Sequence, residues 1–159
     1  MKKNIFYLLL PLYILVTLSA CNEEDKLFSL NTPDDVMKLT STPDSDIVLS
    51  SSESAQKAVT FKWNEASNLN GGKDITYYLK MYLESNDSYS TDTMRIEGNA
   101  REFSMTHAQL NRLLLQWGVQ PGVSTMIDVK VLAVAANTDK YMKPEVSMKS
   151  IIVTPYEQD

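Results

Sequence analysis

The chain has 159 residues, 20 Asp and Glu against 15 Lys and Arg, a net charge of −5 and a single cysteine. The length accommodates one hydrophobic core and not two, and one cysteine excludes an internal disulfide. No basic stripe is available to displace phosphate counterions, which argues against nucleic acid as a partner.

Lys2 and Lys3 precede an apolar run over residues 5–18 that is interrupted by Pro11 and Thr17. A basic segment followed by an apolar one of this length has the form of a signal peptide. The run is shorter than the roughly 20 residues a membrane-spanning helix requires. It closes on Leu18-Ser19-Ala20-Cys21, which resembles the lipobox of bacterial lipoproteins, in which small residues precede a cysteine that is acylated and becomes the new N-terminus. Acylation of Cys21 accounts for a lone thiol in an exported chain, where a free one would be exposed to an oxidising compartment. Ordinary cleavage after Ala20, leaving a free thiol, is the alternative.

The resemblance implies attachment to the outer membrane through the lipid on Cys21. Asp does not follow the cysteine directly, and the acidic Asn22-Glu23-Glu24-Asp25 resembles the signal that sends some lipoproteins to the cell surface. Residues 1–20 are thus expected to be the signal and 21–45, with Pro33 and Pro43 and little periodicity, a tether. The folded domain is expected over 46–156.

Period-two alternation begins at Ile47 and Leu49 and returns at Val59, Phe61 and Trp63, which predicts two half-buried strands. After a turn containing Gly71 and Gly72, a longer strand is predicted with Ile75, Tyr77, Leu79, Met81 and Leu83 on one face. Thr76, Tyr78, Lys80 and Tyr82 then fall on the other. A polar loop over 84–92, a short strand over 93–97 and a turn at Gly98-Asn99 follow.

The period changes over residues 103–118. Thr106 and Gln109 have the spacing of a capping box, and Met105 with Leu110 that of a hydrophobic staple. Leu110, Leu113, Leu114 and Trp117 line one stripe of a short helix, and Gly118 is placed for its C-terminal cap. Two more strands are predicted, one carrying Ile127, Val129, Val131, Ala133 and Ala135, the other over 146–154.

Six or seven short strands with one inserted helix predict an all-β fold, an immunoglobulin/fibronectin-III-like antiparallel β-sandwich. A single antiparallel sheet with the helix on one face is the competing arrangement.

Signals for catalysis are weak. His107 is the only histidine and is expected at the first helical position, facing solvent, with no Gly-x-Ser-x-Gly elbow or thiol nucleophile beside it. The acidic loops lack the spacing and the glycine of a calcium loop, and one histidine with an acylated cysteine cannot build a metal cluster. Neither enzyme activity nor a cofactor is expected. Trp63 and Trp117 fit core positions. The remaining candidates are Tyr78 and Tyr82 with Lys80 between them, because aromatic faces pack against the C–H faces of sugars while a nearby amine bonds their hydroxyls. The alternative for this pair is cover for the neighbouring strand or the helix.

Together, "LSAC", "AVTFKWNEASN" (58–68), "ITYYLKMYL" (75–83), "FSMTHAQLNRLLLQWGVQPG" (103–122) and "IDVKVLAVAAN" (127–137) resemble the N-terminal domain of SusE-type outer-membrane lipoproteins of polysaccharide-utilisation systems. The resemblance implies an immunoglobulin-like sandwich, a glycan as ligand of the system, and SusC/SusD-type uptake proteins as partners. In that family the glycan sites lie in further domains C-terminal to this one, for which no counterpart is expected here, so no binding residue is carried over. Two functions follow: an accessory or glycan-binding surface lipoprotein, or a structural spacer or adhesion module that meets another protein and no glycan.

Overall fold

The computed structural model describes residues 36–66, 74–97, 99–136 and 142–158. Its elements in chain order are β1 (Leu39–Thr42), β2 (Ile47–Val48), a single 3-10 turn (Ser51–Glu53), β3 (Lys57–Trp63), β4 (Asp74–Leu83), β5 (Asn86–Ser90), β6 (Met94–Ile96), β7 (Glu102–Thr106), α1 (His107–Gln116), β8 (Thr125–Ala136) and β9 (Glu145–Thr154). They form two sheets: β1-β3-β7, and β2-β9-β8-β4-β5 with β6 sharing the free edge of β4. The expected sandwich is therefore present, and the single-sheet alternative falls away.

Period-two alternation decides what each sheet turns inward. From β4 come Tyr77, Leu79, Met81 and Leu83, from β8 Ile127, Val129, Val131 and Ala133, and from β9 Ile151 and Val153, all buried. The smaller sheet answers with Leu39, Val59, Phe61 and Trp63. Full burial of an aliphatic or aromatic side chain of this kind contributes about 1.5–3 kcal/mol. A register shift between Lys57 and Val59 lets Ala58 and Val59 both turn inward. Across the sandwich, the rings of Trp63 and Tyr77 meet with centroids 5.8 Å apart at 54°, and the Tyr77 hydroxyl accepts a hydrogen bond from the Ala66 amide at 3.3 Å.

Thr106 is both the last residue of β7 and the N-cap of α1, with extended backbone (φ −79°, ψ 165°). Its hydroxyl accepts from the Gln109 amide at 3.2 Å, and the Gln109 side chain accepts from the Thr106 amide at 2.9 Å, so the expected capping box is formed. The next free amides, of His107 and Ala108, donate to the carbonyls of Gln56 and Ser54. Leu110, Leu114 and Trp117 are buried, with Leu113 packed against them, and Gly118 takes φ +78° after the helix. Thr106→Ala is expected to cost about 0.5–2 kcal/mol, because it leaves a helix-start amide without its acceptor. Urea unfolding measures the difference.

Three expectations are corrected. The composition places the end of the tether at residue 45, but residues 39–42 are strand β1, paired antiparallel with β3 from Leu39↔Trp63 to Thr42↔Thr60. Met37, Leu39 and Ser41 are buried there, and the serine at a core position between flanking prolines disguised the alternation. The outer edge of β1 is covered by polar side chains of β9: the Leu39 amide donates to Ser147 Oγ at 2.9 Å and the Met37 amide to Glu145 Oε1. Lys149 reaches Asp44, just past β1, at 2.5 Å, and its hydrogen bond and charge hold that carboxyl below the usual carboxylate range.

The polar loop expected at 84–92 contains strand β5, which folds back on β4 at Tyr82↔Ser90 and Leu83↔Asn86. Nearly every residue of β5 is exposed, so it owes its form to backbone pairing and shows no hydrophobic period. His107, expected to face solvent, is buried at 8% exposure. The chain around the 3-10 turn folds over it, so that Nδ1 accepts from the Ser50 amide at 3.1 Å and Nε2 lies 3.7 Å from Glu53. The turn at Gly71 and Gly72, and Gly98 of the later turn, lie outside the described residues.

Candidate functional site

Because the inward residues of β4 are fixed by the core, Tyr78, Lys80 and Tyr82 take the opposite face of the larger sheet, and all three are half-buried there. Pairing with neighbouring strands sets what surrounds them. Tyr78 stands opposite Leu132 of β8 and Arg95 of β6, Lys80 opposite Lys130 of β8, and Tyr82 opposite Asp128 of β8 and Ser90 of β5. On the far side of β8, Lys130 is paired with Met148 and Asp128 with Ser150 of β9.

Side chains from three strands close a shallow recess of about 270 Å³ lined by Lys80, Tyr82, Asp87 and Lys130. The Lys130 ammonium lies 5.7 Å from the centroid of the Tyr82 ring, within cation–π range. The Tyr82 hydroxyl donates to the Met148 sulfur at 3.7 Å, which holds the ring against β9. Asp128 is engaged by the Ser150 hydroxyl at 2.5 Å. The recess thus offers an aromatic surface, two ammonium groups and one carboxylate within a small space. That set can take a C–H face on the ring, hydroxyls on the carboxylate and an anionic group on the amines.

Of the three candidates from sequence, Lys80 and Tyr82 come together in the recess. Tyr78 lies four residues back along β4, about 13 Å at the rise of a strand, and does not line it. Lys130 and Asp87 were missed. Lys130 alternates outward in "IDVKVLAVAAN", but only the β4–β8 register shows that it stands beside Lys80, and Asp87 sits on the strand that read as a loop. Cys21 lies outside the described residues.

Elsewhere, among the described residues, no group of three His, Cys, Asp or Glu side chains is placed to hold a metal ion, and no helix is long and apolar enough to cross a membrane. The only histidine is engaged on both ring nitrogens by the segment that buries it. Trp63 and Trp117 are core residues, as expected.

No curated protein matches the chain. A family model described as SusE outer membrane protein matches residues 22–132, taking in every element from β1 to the middle of β8. With most of its length covered by that match, the chain belongs to the SusE outer membrane protein family.

Proposed function

We propose that this protein is a surface lipoprotein, anchored to the outer membrane by acylated Cys21, that serves a polysaccharide-uptake system as a glycan-binding accessory component beside SusC/SusD-type proteins. The observation that carries the reading is the outward face of β4, where Tyr78, Lys80 and Tyr82 share one register and Tyr82 opens onto a recess with two amines and a carboxylate. Membership of an outer-membrane family agrees with the address, and the family match begins at Asn22, one residue past the cysteine. On this reading the lipid fixes the chain at the membrane, and the sheet face holds a sugar chain close to the transport proteins.

A spacer or adhesion role is the second reading. Met126 and Met148 are 41% and 51% exposed on the same sheet face, and exposed thioethers suit docking against another protein.

Affinity electrophoresis through embedded polysaccharides separates the two, using the full-length protein in a polyoxyethylene detergent. Wild type is expected to be retarded, and Tyr78→Ala with Tyr82→Ala to migrate freely with an unchanged melting temperature. Tyr77→Ala is expected to lower the melting temperature, because that ring belongs to the core against Trp63. Retardation that survives the double substitution moves the site elsewhere. Free migration of wild type in every gel favours the spacer.

A further inference from the structure

We infer that the recess selects an acidic polysaccharide, one bearing uronate carboxylates, and that Lys80 and Lys130 are the residues that select it. The inference rests on the glycan-binding reading above and names the substrate class of the same site.

Lys80 and Lys130 are direct partners in the antiparallel pairing of β4 and β8. Side chains at such positions stand about 4.5–5.5 Å apart at Cβ, and like charges there are destabilising. The chain carries more carboxylates than amines, yet neither of these two ammonium groups forms an ion pair among the described residues; the pairs that do form involve Lys62, Arg101, His107 and Lys149. Of the carboxylates nearby, Asp128 accepts from the Ser150 hydroxyl and forms no ion pair with either amine. Asp87 lines the recess without pairing either amine. Arg95, exposed beside Tyr78, adds a third cation to the same face.

Two unpaired cations held side by side in a partly desolvated recess make a site for an anion, since their mutual repulsion is relieved when one arrives. Tyr82 specifies the rest. A hexuronate presents a C–H face to an aromatic ring and a carboxylate at the ring edge. Here the ammonium of Lys130 lies 5.7 Å from the Tyr82 ring centroid, so a uronate carboxylate that draws this flexible side chain aside leaves the ring to the C–H face of the same sugar unit. Asp87 would accept that sugar's hydroxyls. A neutral sugar uses the ring and Asp87 but leaves the lysine pair unrelieved.

The test runs the full-length protein in a polyoxyethylene detergent through gels containing polygalacturonate, alginate or hyaluronate, each beside its carboxyl-reduced form, with dextran sulfate as a separate arm. Wild type is expected to be retarded by at least one polyuronate and about tenfold less by its reduced form. The difference should fade as salt shortens the screening length from about 10 Å at 0.1 M to about 3 Å at 1 M. Lys80→Gln with Lys130→Gln should abolish the preference for the charged form and keep residual binding to the reduced one. The salt titration on wild type decides the matter even if that variant folds poorly.

Equal retardation by charged and reduced forms overturns the charge selection and leaves the glycan reading standing. Retardation by none of the gels overturns both. Dextran sulfate matching the polyuronates overturns the uronate assignment in favour of any dense polyanion.

Discussion

Trp63→Ala is expected to lower the unfolding free energy by about 3–5 kcal/mol, a large share of the roughly 5–15 kcal/mol that holds such a domain together. Trp63 is 4% exposed, lies opposite Leu39 in the smaller sheet and meets Tyr77 of the larger sheet. Its removal opens a cavity between the two layers, and the strands on either side are tied by backbone ladders that prevent them from collapsing into it. A second substitution isolates the polar part of the indole. Its Nε1 is buried with no hydrogen-bond partner among the described residues, a cost the folded state carries. Trp63→Phe keeps an aromatic contact with Tyr77 and removes that donor, so it is expected to cost less than half as much. Chemical denaturation of the three proteins measures both differences, and an alanine variant that unfolds like wild type would place the ring outside the core.

Cys21→Ser is expected to have the largest effect on where the protein resides. Each buried methylene of an acyl chain contributes about 0.8 kcal/mol, and one chain gives only marginal membrane binding whereas two or more anchor stably. Without the thiol there is no attachment point, so incorporation of a labelled fatty acid should fall to background. Once the signal is removed, the protein should move from the detergent phase to the aqueous phase. Under ordinary secretion, wild type and variant would be unlabelled alike and both aqueous. That result would overturn the lipid anchor and leave the fold and the recess untouched.

Much of the architecture follows from local pattern. The alternation in "AVTFKW", "ITYYLKMYL" and "IDVKVLAVA" specifies strands β3, β4 and β8 together with their buried faces, because a strand's side chains alternate and one face must leave water. The capping box at Thr106 and Gln109 and the stripe from Leu110 to Trp117 specify the helix in the same way, through groups within a few residues of one another. Where the local pattern is blunted, the element is not legible in the sequence. Strand β1 carries Ser41 at a core position and borrows edge partners from β9, more than a hundred residues away. Strand β5 is polar on both faces.

The site divides along the same line. That Tyr78, Lys80 and Tyr82 face outward is legible in the chain, because their neighbours on β4 are apolar and the period is two. That Lys130 stands beside Lys80, that Tyr82 rather than Tyr78 lines the recess, and that Asp87 reaches it are matters of register between strands distant in sequence. The same holds for His107, buried by the chain around the 3-10 turn, and for Asn111, buried on α1 with its amide bonded to both backbone groups of Tyr156 beyond β9. By itself the sequence determined which residues β3, β4 and β8 turn inward and where the helix begins, since these depend on periodicity and on groups a turn apart. Tertiary structure decided which side chains meet, since pairing register is a property of two strands together and neither one encodes it alone.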